Sequence, residues 1–174
     1  AGTAAKIIGE GNGTAGEGRL AFYAGTPSAL TEKLRIDSDG LKFNGDTSAD
    51  NALSFYEEGT WTPTMSSSSG TAPSPSAVSG TYTRIGRLVT VNAIISNITK
   101  GGTETAVIQC EGLPFTPDTQ DAFGTCLFGD VAFAAPEVTG QAANVDASAN
   151  LIRFFVSKDG AARTNIDNQH IDSG

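Results

Sequence analysis

The chain has little of what most enzyme chemistry uses. Of 174 residues one is histidine, two are cysteine, one is tryptophan and one methionine, and 17% are charged. A single histidine excludes a multi-histidine metal site within one chain, and with it a conventional metalloprotease. A Ser-His-Asp triad could use only His170, and no G-x-S-x-G nucleophile elbow accompanies it. No apolar run approaches the ~20 residues of a membrane span, so membrane insertion is not expected. There is no signal peptide, and the absence of an initiating Met reads as a fragment or a processed piece. Cys110 in AVIQCEG and Cys126 in GTCLFGD lie among apolar neighbours. That context favours buried thiols, with a disulfide as the alternative.

What the chain does have is glycine, proline and small hydroxylated residues. Twenty-one Gly and seven Pro punctuate short segments and are costly inside helices, so the expected class is all-β. The formal charge of −8 is uneven. Five basic and seven acidic residues up to Tyr56 give −2, and six basic and twelve acidic residues from Glu57 onward give −6. An acidic C-terminal part argues against nucleic acid as a partner, since phosphates need a Lys/Arg surface.

AAKIIGE and GRLAFYAG read as strands, the second apolar on both faces. TPSALTEK reads as a turn. KLRIDSDGLKF reads as a hairpin in which Leu34 and Ile36 share one face while Lys33, Arg35 and Asp37 take the other. Asp39-Gly40 and Asn44-Gly45 supply positive φ. Ser48 can cap a helical turn carrying Ala49, Ala52, Leu53 and Tyr56. These strands are too few to cover their own apolar faces, so other copies of the chain are the expected cover. After a strand at Trp61–Met65, the run Ser66–Ser79 reads as a flexible loop. In LVTVNAIISNI, Val89, Val91, Ala93 and Ile95 share a face. Lys100-Gly101-Gly102 then turns the chain into TETAVIQCEG as a hairpin. LPFTPDTQD connects onward, AFGTCLFGDVAFAA holds one or two strands, and NLIRFFVSKDGAARTNI is a hairpin turned at Asp159-Gly160. Its inner face is Ile152, Phe154 and Val156, and Leu151 and Phe155 point the other way and need a second partner.

The run RIDSDGLKFNGDTSADNALSFYEEGTWTPT, followed by SGTYTRIGRLVTVNAII, resembles the C-terminal part of bacteriophage tail fibre and related virion attachment proteins. There a strand-rich stem leads through a YEEGTWTP junction into a β-sandwich tip whose early strands read Y-T-x-I-G-x-x-V-x-V. The resemblance covers the middle third of the chain. It implies an all-β architecture: a stem segment at 1–56 and a β-sandwich, jelly-roll-like head at 57–174, in a parallel homotrimer. It further implies a virion location, other tail proteins as partners, and attachment to a host surface polysaccharide or protein receptor without catalysis. In such proteins a further strand beginning SGTY often follows a stretch like the C-terminal IDSG. A secreted carbohydrate-binding or adhesin module is the alternative, and a polysaccharide depolymerase a lesser one.

Receptor contact is expected on head loops 112–121 and 135–150, where Thr116, Asp118, Thr119, Gln120, Asp121, Gln141 and Asn144 offer hydrogen-bonding groups to a hydroxyl-rich glycan. No catalytic residue, metal or cofactor is expected. Gly11, Gly13 and Gly16 match G-x-G-x-x-G in form but no helix follows, so a flexible loop is the reading. Asp37, Asp39 and Gly40 begin like a calcium loop and fail at Leu41. Glycosidase carboxylates would need a pair across a groove, and Glu57 with Glu58, Glu104 with Glu111, or Asp118 with Asp121 carry no motif. Trp61 is read as a packing residue at the junction and His170 as part of an exposed polar tail.

Overall fold

The structure is a computed structural model describing residues 4–11, 18–103, 105–127, 138–158 and 162–171. Among these the chain is all-β, in several antiparallel sheets, with two short 3₁₀ turns and no α-helix. It divides into two compact units, Ala1–Glu58 with Thr83–Thr90, and Gly59–Tyr82 with Val91–Gly174.

In the first unit, β1 (Ala5–Gly11), β2 (Gly18–Thr26), β3 (Ala29–Asp37) and β4 (Gly40–Phe43) form a meander in that order. TPSALTEK is therefore not a long turn. Only Pro27-Ser28 turns, because the β2–β3 ladder runs to its end at Thr26↔Ala29. Asn44 and Gly45 both take positive φ (55° and 77°) and the Asp46 N–H donates to the Phe43 carbonyl, as a type I′ turn requires.

Register sorts this sheet into two unlike faces. Ile7, Phe22, Leu34 and Phe43 stand directly opposite one another across all four strands, with Leu20, Ile36 and Leu41 beside them. Cross-strand partners share a face, so these rungs make that side apolar. The other side carries Arg19–Glu10 at 2.5 Å, Arg35–Glu32 at 2.5 Å, and Lys42 bound to both Asp37 (3.0 Å) and Asp39 (2.5 Å). Within the chain, burial is inverted from the usual amphipathic sheet. Arg35 and Lys42 are 8% and 2% exposed, while Ile7, Phe43 and Ile36 are 66%, 52% and 46% exposed. Long charged side chains lie along one another over Ala21 on their own face, whereas Ile7, Ile36 and Phe43 on the apolar face stay open among the described residues.

The turn after β4 forms, but Ser48 makes no side-chain cap. Asp46 takes that role, accepting from the Ser48 N–H (2.8 Å) and the Asn51 amide (2.6 Å). The turn spans only Ala49–Asn51, because Leu53 bridges back to Leu41 in extended conformation.

The remaining strands are β5 (Tyr56–Trp61), β6 (Thr64–Ser67), β7 (Ser74–Ile85), β8 (Leu88–Thr99), β9 (Ile108–Glu111), β10 (Ala122–Thr125), β11 (Val138–Asp146), β12 (Leu151–Lys158) and β13 (Thr164–Asn165). One sheet has the order β5-β7-β8; the other is β10-β11-β12-β9-β6, with β13 beside β12. Three expectations change here. Trp61–Met65 is not one strand: Pro63, buried and lacking an N–H, separates β5 from β6, which join different sheets. The Ser-rich run is mostly strand, because β6 finds a ladder with β9, and the Ser68 hydroxyl accepts the Val107 N–H at 2.9 Å where that ladder ends. TETAVIQCEG does not fold back as a hairpin on β8. Gly101 lies so close to the loop before β7 that an added Cβ would stand 2.2 Å from the Thr71 carbonyl oxygen, and the chain goes on to pair β9 with β6 and β12.

Side chains from both sheets fill the second unit's core. Trp61, Cys110 and Ile152 form one buried cluster, joined by Tyr82, Val91, Ile95 and Val145; Ile108, Val156, Ile166 and Ile171 form the other. Ile152, Phe154 and Val156 do face inward, as alternation predicts, and the β12–β13 pairing is present. Its turn at Asp159-Gly160 lies outside the described residues, as do Gly129-Asp130, Gly13, Gly16 and Glu104. Leu151 needs no second partner, being 7% exposed within the chain at the first rung of β12, opposite Asp146.

Candidate functional site

The connection from β9 to β10 is irregular and exposed at Thr116, Asp118, Thr119, Gln120 and Asp121, as the sequence suggests. Two of its acids are engaged locally. Asp118 accepts the Thr119 N–H at 2.7 Å, and Asp121 accepts the Ala147 N–H at 3.1 Å, tying this connection to the β11–β12 turn. That turn is built on Asp146, whose carboxylate takes the Ser148 hydroxyl (2.6 Å), the Ser148 and Ala149 amides, and Arg153 at 2.8 Å. The Ser148 hydroxyl above all, then the Ala149 amide and Arg153, outweigh burial and hold the Asp146 carboxyl below the ordinary aspartate range. Asn150 closes the turn at φ 53°.

Gln141 and Asn144 are not loop residues. Both lie within β11, which runs through most of the stretch expected to be loop. Asn144 is buried, and its amide donates to the Ala122 carbonyl at 3.3 Å, so its side chain holds β10 to β11. The polar sequence GQAAN conceals the strand because its small residues sit between two neighbours that supply the ladder.

Gln141 lines a depression that the sequence does not announce. Its volume is about 140 Å³, and its walls include Phe123, Ala142, Phe155, Ser157 and Arg163. Phe123 on β10, Ala142 on β11 and Phe155 on β12 fall on the sheet face away from Ile152, Phe154 and Val156. The Arg163 guanidinium stands over both rings, 5.7 Å from the Phe123 centroid and 4.6 Å from that of Phe155. The second partner that Phe155 needs is thus a cation. Alternation in LIRFFVSK marks Phe155 as outward; nothing local marks Arg163, whose place depends on β13 pairing with β12.

Trp61 is 7% exposed and its indole N–H donates to the Asn92 carbonyl at 3.1 Å, a packing role. Gly80 makes room for the ring, since an added Cβ would stand 2.4 Å from Nε1; Gly59 does the same for Tyr82, at 2.6 Å. Tyr82 in turn meets Phe115 edge-on at 5.1 Å. His170 is not in an exposed tail. It is half-buried beside Ile171, its Nδ1 2.7 Å from Asp167 in a capped turn, because residues 164–171 complete the core. Both cysteines are free, and burial pushes each thiol up to about 11. Lys42 stands between Asp37 and Asp39, where the abortive calcium loop would hold its ion. Glu57 and Glu58 are consecutive on β5, with Glu58 accepting the Tyr56 hydroxyl. Among the described residues no three His, Cys, Asp or Glu side chains gather as a metal site, and no helix is long and apolar enough to cross a membrane. Set against family models, curated proteins and solved structures, the chain matches none of them.

Proposed function

We propose that the chain is the distal stem and tip of a bacteriophage tail fibre, a virion protein that assembles as a parallel homotrimer and attaches without catalysis to a glycan on the host surface. The observation that carries the reading is the uncovered apolar face of the four-stranded sheet. A face built from Ile7, Leu20, Phe22, Leu34, Ile36, Leu41 and Phe43 has no use in water. Covering each large side chain is worth about 1.5–3 kcal/mol. The opposite face already pairs its own charges, with Arg19, Arg35 and Lys42 set against Glu10, Glu32, Asp37 and Asp39. The occupant of the apolar face is two further copies of this chain, whose identical faces carry no charge to bury. The second unit, with side chains of two sheets in one core, suits a β-sandwich, jelly-roll-like head. Its exposed Thr116, Asp118, Thr119 and Gln120 are proposed to meet the receptor. The Asp121 contact to Ala147 supports this by drawing 112–121 and the 147–150 turn to one end of the sheet.

Sedimentation of the purified chain together with competition against phage adsorption tests the reading. A trimer that blocks adsorption at saturating concentration is the expected result. A monodisperse monomer at micromolar concentration overturns the assembly and leaves the secreted carbohydrate-binding module as the better account. Release of reducing ends from purified host polysaccharide overturns the absence of catalysis.

A further inference from the structure

The depression beside Arg163 has the chemistry of a ligand site. Phe123 is 66% exposed on an outward sheet face, although its ring could have been buried for about 1.5–3 kcal/mol. Arg163 is held over it by ring faces rather than by a carboxylate, and no ion pair engages it among the described residues. On the same sheet face, Arg153 is paired with Asp146. A guanidinium held over rings rather than by a carboxylate still has its N–H fork to offer, and that fork matches a carboxylate. A ring such as Phe123 offers a flat apolar surface beside it. Ala142 makes a shallow floor, and Ser157 adds a polar side chain to the wall. At about 140 Å³ the depression is well short of the ~300 Å³ at which pockets enclose a drug-sized molecule, so it suits one sugar unit.

From this juxtaposition we infer that Phe123 and Arg163 form a subsite for an acidic sugar, a pyranose bearing a carboxylate, as in a uronic acid. The inference rests on the attachment reading for the glycan to which such a sugar belongs. The sugar's C–H face lies on Phe123 and its carboxylate on Arg163. The chain's net charge of −8 does not forbid an anionic ligand, because charges beyond the ~8 Å screening length at physiological salt count for little.

Sodium glucuronate, with glucose as its neutral counterpart and acetate as a bare carboxylate, separates the components. Titration of the full chain followed by NMR should show glucuronate shifting amides of Gln141–Ala142 and Phe155–Ser157 at least tenfold more tightly than either control. Arg163→Gln and Phe123→Ala alter exposed side chains, and each should weaken glucuronate at least tenfold. Arg163→Lys should recover only part of the loss, since an ammonium lacks the fork. Equal binding of glucose, equal binding of acetate, or unchanged binding by Arg163→Gln overturns the subsite. A trimeric Arg163→Gln variant that blocks adsorption as well as the parent also overturns it, while leaving the attachment reading intact. A parent that binds glucuronate as expected but fails to block adsorption upholds the subsite and sinks the attachment reading.

Discussion

Two glycines do at residue scale what sequence patterning treats as punctuation. Gly59 and Gly80 each lie beneath an aromatic ring in a neighbouring strand, so their value is the absence of a Cβ. Gly80→Ala should force the Trp61 indole to move and cost about 1–3 kcal/mol, the usual range for overpacking. A fall in the second unit's melting temperature by circular dichroism checks this, and an unchanged transition would mean the ring has room to spare. Titration is the other residue-scale matter. The Arg35 hydrogen bond, working against burial, holds Glu32 below the ordinary glutamate range; burial raises Asp37, yet Lys42 and the Asp39 amide together lower it. Groups with depressed folded values add stability that is complete above their unfolded pKa of ~3.9–4.3 and is lost as pH falls through the folded values. Lys42 is raised, chiefly by Asp39, and its share is lost only in alkali above ~10.4. The melting temperature should therefore be flat between about pH 5 and 9 and drop below about pH 4. In Glu32→Gln the acid limb should be shallower. A parent whose melting point holds to pH 2 would contradict the assignment.

The element that matters most is the four-stranded meander with its dry side outward. Ile36→Glu places a charge in the middle of that side, where the isolated chain tolerates it because Ile36 is 46% exposed. In an assembled trimer the same carboxylate would be buried without a partner. Light scattering should then show monomers whose far-ultraviolet spectrum is still β, whereas Lys6→Ser on the charged side should leave the proposed trimer whole. A trimeric Ile36→Glu would show that the apolar side has another use. Hairpins were the legible elements: alternation in KLRIDSDGLKF is a local signal that names the right partners, and the Asn44-Gly45 step marks a turn where one forms. The crossing after β8 was not legible, because β9 takes partners 44 or so residues away on either side and no local residue encodes them. Polar strands were missed for a related reason. Ser66 and Ser67, or Gln141 to Asn144, have no apolar alternation to show, and their extended conformation is imposed by neighbours. For the candidate site, the exposed 112–121 connection could be read from its composition. The Phe123–Arg163 contact could not, since it joins β10 to the residue before β13.

At the scale of the whole molecule, the proposed attachment depends on three copies acting together. A net hydrogen bond contributes only about 0.5–1.5 kcal/mol, so a single head should hold its glycan weakly. Linked heads multiply the effect through effective concentration. Thr119→Ala with Gln120→Ala should lower adsorption at least tenfold without loosening the trimer, measured by competition and sedimentation side by side. Parental adsorption by that variant would move the receptor off the 112–121 connection. The ring-over-glycine pairs constrain where this chain can be spliced to a relative. Gly59 precedes Trp61, and the glycine that accommodates the tryptophan comes after it, just ahead of the tyrosine that Gly59 accommodates. A hybrid whose parental seam falls between Trp61 and Gly80 draws each ring from one parent and its vacancy from the other. Exchange is tolerated there only between parents that match at all four positions; a seam placed before Gly59 inherits the lock complete.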